Sequence, residues 1–106
     1  MADRRALDAL RSLVAEREWA QFHTPESLSK SICIEAGELL ECFQWNPHGD
    51  LADAADELAD VLTYCYLLAD LLNQDPEALI LKKLETTRVK YPLDRARGRS
   101  NRYDQL

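Results

Sequence analysis

The chain has 106 residues, 46% of them apolar, with only 3 glycines and 4 prolines, so it is long enough for one domain and too short for two. That composition excludes a disordered or fibrous chain. Thirteen Lys and Arg against nineteen Asp and Glu leave a formal charge of −6, which argues against a general binder of nucleic acid polymers.

Breakers divide the chain into four helical segments, and no segment alternates with a period of two, so the expected fold is an all-α four-helix bundle. The first segment runs from about Asp3 to Trp19, with Leu7, Leu10, Leu13 and Val14 on one stripe. The second opens at Thr24, an N-cap followed by Pro25 at the first helical position, and continues to about Trp45. Asn46-Pro47-His48-Gly49 is a turn, after which Asp50 caps a third helix reaching about Asn73. Asp75-Pro76 repeats the cap-plus-proline start, and the fourth helix ends before Pro92. Residues 94–106 hold four arginines and read as a mobile basic tail behind a domain of residues 1–93.

The distribution of charge says more than its sum. Between Ser31 and Leu81 lie eleven acidic residues and no Lys or Arg, while the flanks carry all thirteen bases. An acidic middle between basic ends suits a bound cation with a polyanion reaching both; solvated acidic helix faces are the plainer alternative. Cys33, Cys42 and Cys65 are an odd set without Cys-x-x-Cys spacing, which points to buried free thiols in a reducing cytoplasm. The first residues lack an apolar signal core and the longest apolar stretch, Val61 to Ala69, is too short to span a bilayer, so neither secretion nor a membrane is expected.

With Leu28 set at zero on a helical wheel, Ile32, Leu39, Cys42 and Phe43 fall within about 60° of it, and Glu35 falls at about −20°. A carboxylate in the middle of an apolar stripe costs several kcal/mol unless it is paired, protonated or bound to metal. Glu38 lies one turn along on the flank of the stripe and repels it. The third helix repeats the arrangement: Leu51, Ala55, Leu58, Leu62, Cys65, Ala69 and Leu72 form one apolar stripe, while Glu57, Asp60, Tyr64, Leu67 and Leu71 form an opposite face. A helix that seeks burial on two sides lies inside a bundle or between subunits.

Glu35-x-x-Glu38 and Glu57-x-x-Asp60 would then aim into one enclosed space, where a divalent cation neutralises all four. All-oxygen ligation selects Mg²⁺, with Mn²⁺ as a substitute. A di-iron site on a bundle takes Glu-x-x-His, and here the third residue is Glu38 or Asp60. Ordinary surface acids remain the alternative. Magnesium keeps open positions for substrate phosphates, and Lys83 and Arg88 supply a basic partner for them. Trp19, Phe22, Trp45 and Tyr64 offer rings on which a base can stack, although each also reads as core.

Trp19-Ala-Gln-Phe22-His23-Thr-Pro25, Ile34 to Trp45, Asp56 to Tyr64 and Lys83 to Pro92 together resemble the MazG-like all-α nucleotide pyrophosphohydrolases, and within them the dCTP pyrophosphatase branch. The resemblance implies a dimer or tetramer as an obligate homo-oligomer, with Glu35, Glu38, Glu57 and Asp60 binding Mg²⁺. It implies that Trp19, Phe22, His23, Trp45 and Tyr64 surround the nucleoside and that Lys83 and Arg88 hold phosphates. The implied reaction cleaves a nucleoside triphosphate between its α and β phosphates; Glu38 and Asp60 are the candidate catalytic carboxylates, with Glu38, at the edge of the stripe, as the candidate base for the attacking water. A catalytically silent oligomerisation or nucleotide-sensing module is the alternative. Thr87 stands where relatives often have asparagine, and Leu10 where members of the dCTP branch can have histidine, which bears on base preference.

Overall fold

The computed structural model describes residues 4–106. It contains α1 (Arg5–Glu16), a 3₁₀ turn (Trp19–Phe22), α2 (Pro25–Glu41), α3 (Leu51–Leu71), α4 (Pro76–Lys90), a single turn α5 (Leu93–Ala96) and a 3₁₀ turn (Tyr103–Gln105). No strand occurs among the described residues. The start of the first helix at Asp3 lies outside them.

The caps act as their residue types require. The Thr24 hydroxyl accepts from the Ser27 backbone N–H at 3.0 Å, and the Ser27 hydroxyl accepts from the Thr24 N–H at 2.9 Å, so two orphan donors are satisfied reciprocally. The Asp50 carboxylate accepts from Ala52 and Asp53, and the Asp75 carboxylate from Ala78. At the end of α3, Asn73 takes a left-handed conformation (φ 58°). There Gln74 N–H donates to Ala69 C=O and Asn73 N–H to Asp70 C=O, a Schellman closure.

Two helix ends differ from expectation. The first helix stops at Glu16 rather than Trp19, because Glu18 adopts left-handed φ and ψ and redirects the chain into the 3₁₀ turn. The second stops at Glu41 rather than Trp45, unwinding through Cys42 into the turn that leads to α3.

The chain divides into two compact units, the first ending at Gln74 and the second beginning at Asp75. In the first, α2 packs along α3, and α1 packs on α3. Leu7, Leu28 and Ala69 are buried, Leu28 to 2% exposure. Ile32, Glu35, Leu39, Cys42 and Phe43 are half-buried, so the α2 stripe lies where its period places it, with Glu35 inside it. On α3 the expectation is partly inverted: Leu51, Leu58, Leu62 and Leu72 are exposed, while Glu57 and Tyr64 of the opposite face are half-buried.

The second unit holds α4 and the basic tail. The tail meets the end of α4 at one ring contact. The Tyr103 ring meets the Tyr91 ring edge-on at 6.2 Å, with the Lys90 ammonium 4.7 Å from its centroid. No described helix is long and apolar enough to cross a membrane.

Gly49 sets the entry into α3. It has φ +57°, and a Cβ there would lie 2.7 Å from Phe43 Cε1 and 2.8 Å from the Cys42 carbonyl oxygen. Gly49→Ala is therefore expected to destabilise the protein by about 2 kcal/mol, read from urea unfolding midpoints, since strain and clash add.

Candidate active site

The seam between α2 and α3 is where the acids gather. Carboxylate oxygens of Glu35, Glu57 and Asp60 all lie within 4.8 Å of one another, with Glu35 and Glu57 half-buried and Asp60 exposed. Oε2 of Glu35 and Oε2 of Glu57 are buried and have no hydrogen-bond partner. Buried oxygens left without a donor are costly, and a hard cation satisfies such a pair at one stroke. The residues present therefore fit a divalent metal. Glu38 is exposed at the rim, outside that cluster but near enough to both half-buried glutamates to raise their pKa values.

The electrostatics follow from the crowding. The Glu35 carboxyl is raised above a free glutamate's value first by the close approach of the Glu38 carboxyl, which favours a proton held between the two, then by burial and by the charges of Glu38, Asp60 and Glu57. Glu57 is raised first by burial and then by Glu38. The neighbouring Cys42 thiol is pushed up by burial and by Glu57 and Asp53.

The aromatic candidates occupy element ends. Trp19 opens the 3₁₀ turn with the Arg17 guanidinium 5.8 Å from its ring centroid, and Phe22 closes that turn, exposed. Trp45 is 89% exposed beyond α2, whereas Tyr64 is half-buried on the acid-bearing face of α3. Lys83 and Arg88 belong to α4 in the second unit. Five residues separate them, so they leave the helix about 140° apart rather than from one face. Between them Thr87 donates its hydroxyl to the Lys83 carbonyl at 3.1 Å. Of the cysteines, all free, Cys33 is exposed rather than buried, and Cys42 and Cys65 are half-buried.

Sequence reasoning missed one pair. Arg11 on α1 donates from Nε to both carboxylate oxygens of Asp70 on α3, at 3.2 and 3.1 Å, and from Nη2 to Oδ1. The pair lowers the Asp70 pKa through that bonding. His23 and this pair line a cleft of about 250 Å³ in the first unit. Fifty-nine residues separate the partners, and nothing local signals their meeting.

Comparison with known proteins agrees with this architecture. The MazG-like family profile matches residues 30–106. The chain belongs to the MazG-like family. It is 36% identical over 102 residues to mouse dCTP pyrophosphatase 1 and 37% identical over 102 residues to the human protein of that name. Each match covers 87% of this chain and 60% of the relative, so the chain spans only three fifths of the length of these curated relatives. A solved structure from Archaeoglobus fulgidus, described as a pyrophosphatase, superposes with a TM-score of 0.79 at 36% identity, covering 84% of this chain and 91% of that one.

A glutamate whose pKa is raised by folding contributes stability that is present below its unfolded value near 4.5 and lost as pH rises through the folded value. In chelator, Glu35→Gln is therefore expected to raise the melting temperature at pH 8 and to raise it less at pH 5, as followed by calorimetry.

Proposed function

We propose that this chain is a Mg²⁺-dependent hydrolase of (deoxy)nucleoside triphosphates that cleaves between the α and β phosphates and releases the monophosphate and pyrophosphate. dCTP-like or modified pyrimidine nucleotides are its substrates, and clearing them from the nucleotide pool its role. The observation that carries the proposal is the acid cluster, with two buried oxygens that lack any donor beside a third carboxylate. Likeness to proteins named dCTP pyrophosphatase 1 and to an archaeal pyrophosphatase supports the reaction class.

Glu35, Glu38, Glu57 and Asp60 hold the cation, for which Mn²⁺ is an alternative. When bound, the cation draws charge from phosphoryl oxygens and lowers the pKa of a coordinated water. Glu38, at the exposed rim, accepts the proton of the attacking water, and Asp60 helps to orient that water. The water oxygen bonds to phosphorus, the bridging P–O bond between the α and β groups breaks, and its electron pair leaves with pyrophosphate. Lys83 and Arg88 stabilise the charge on the departing phosphates. Trp19, Phe22, His23, Trp45 and Tyr64 surround the nucleoside, where ring stacking tolerates every base. Three free thiols suit a cytoplasmic enzyme.

A homo-oligomer, dimer or tetramer, completes the molecule. Leu51, at 73% exposure, Leu58 and Leu62 leave an apolar stripe uncovered on α3, and Leu79, Ile80, Leu81, Leu84 and Val89 lie exposed around α4. Apolar side chains exposed in such numbers on two helices mark a surface that another chain can cover. Light scattering is expected to give two or four copies at micromolar concentration, and a stable monomer contradicts it.

The purified protein is expected to release pyrophosphate and monophosphate from dCTP with Mg²⁺ and none in excess EDTA. Glu38→Gln and Asp60→Asn should each lower kcat about 100-fold or more. Full turnover in EDTA, or unimpaired variants, overturns the proposal. A folded wild type without turnover favours the silent nucleotide-sensing module instead.

A further inference from the structure

We infer that the Arg11–Asp70 ion pair is a positioning device: it fixes the 3₁₀ turn that carries Trp19, Phe22 and His23 against α3, and so sets nucleotide affinity without touching the nucleotide. The inference rests on the nucleotide reading above and adds to it two residues that act through the rings.

The segment that carries those rings has little apolar anchorage of its own. Leu7 is the buried residue of α1, Leu10 and Val14 are half-buried, and every residue from Ala15 to Phe22 is exposed. Within that stretch Glu18 holds a left-handed conformation, φ 54°, which a residue with a Cβ resists, so the surrounding structure must keep it there. On the α2 side the Ser27 hydroxyl donates to the Phe22 carbonyl at 2.9 Å. On the α3 side the Arg11 guanidinium, five residues before the end of α1, grips Asp70.

That grip is directional. Arg11, Val14 and Ala15 stand at i, i+3 and i+4 on α1, and Leu67, Asp70 and Leu71 stand at the same spacing on α3; the two triplets line one cleft, together with Ala20 and His23. The cleft leaves about 250 Å³ open, so close packing of apolar side chains does not fix the register of the two helices there. A carboxylate held by Nε and Nη2 together does fix it, because both groups must point correctly at once. Nη1 of the same guanidinium lies 3.7 Å from the Asp8 carboxylate on its own helix, which steadies it further.

Asp70 is too far along α3 to take part in the reaction itself. Ten residues place it about 15 Å beyond Asp60 on the axis, out of reach of a cation or phosphate held by the acids. Its influence passes through the turn that lines the cleft with it. Tyr64 stands on the same face as Asp60 and Leu67, between the acids and the cleft, so any slide of α1 along α3 shifts the rings of the turn relative to Tyr64. The two side chains are 47% and 30% exposed, and an ion pair so open adds little to the stability of a fold. Its loss should therefore be felt in ligand affinity more than in melting.

Calorimetric titration of the full chain with dCMP in chelator reads the nucleoside subsite without the acids. Arg11→Gln and Asp70→Asn are each expected to weaken dCMP binding about fivefold or more and to raise KM for dCTP with Mg²⁺ by a similar factor, with kcat within about twofold of wild type. The double variant should match the single ones, because the first substitution already releases the turn. Mg²⁺ affinity without nucleotide should stay unchanged in all three, and melting temperatures report their folding. Unchanged dCMP affinity and KM in the folded variants overturn the inference, as does a double variant whose losses add. A variant that fails to fold overturns it too, since the pair then holds the fold together rather than placing the turn. A wild type that binds dCMP and releases no pyrophosphate sinks the hydrolase reading alone, and one that binds no nucleotide sinks both.

Discussion

Repulsion among carboxylates in the α2–α3 seam is the constraint around which this chain is organised. Glu35 and Glu57 are enclosed far enough that one oxygen of each is cut off from water and from every donor. Two ionised groups so placed oppose the packing that brings them together, and only a proton or a cation relieves them. The rest of the first unit supplies the rigidity that holds them there. Reciprocal bonding at Thr24, the Asp50 cap and the crowded Gly49 turn each stabilise an element without help from the acids. Strain concentrated at a functional centre and offset by well-formed local structure is a common arrangement in enzymes.

The distribution of apolar surface carries the same mark. A helix in a self-sufficient monomer turns its leucines inward and its acids outward. On α3 the polar face with Glu57 and Tyr64 is the more enclosed, whereas Leu51, Leu58 and Leu62 face outward. In the proposed assembly this inversion has a simple cause, because the leucines are reserved for another copy while the acids serve the substrate. Under that proposal a cation and a neighbouring subunit would complete two different sides of one helix.

What was legible in the sequence was what local chemistry determines. Thr24-Pro25, Asp50 and Asp75-Pro76 mark helix starts because caps act within three residues, and Glu35 betrays itself by interrupting a stripe of period 3.6. The end of α1 was not legible, since Glu18 takes a conformation that glycine normally signals. The unwinding of α2 after Glu41 was not legible either; it goes with a turn in which Gly49 packs close to Phe43, a contact that no propensity encodes. Arg11 and Asp70 meet across 59 residues, so their pairing depends on how α1 lies on α3 and not on any motif. The roles of Lys83 and Arg88 rest on family resemblance alone, since α4 belongs to a unit of its own.

The self-contained caps also shape the order in which the chain assembles. Each helix can nucleate from its own signals, and the 46–50 turn is short, so the α2–α3 hairpin forms through near-neighbour contacts that close quickly. Closing that hairpin brings like charges together as water leaves. A proton or a divalent cation among those acids relieves the repulsion, so whatever occupies the cluster also favours the closed hairpin.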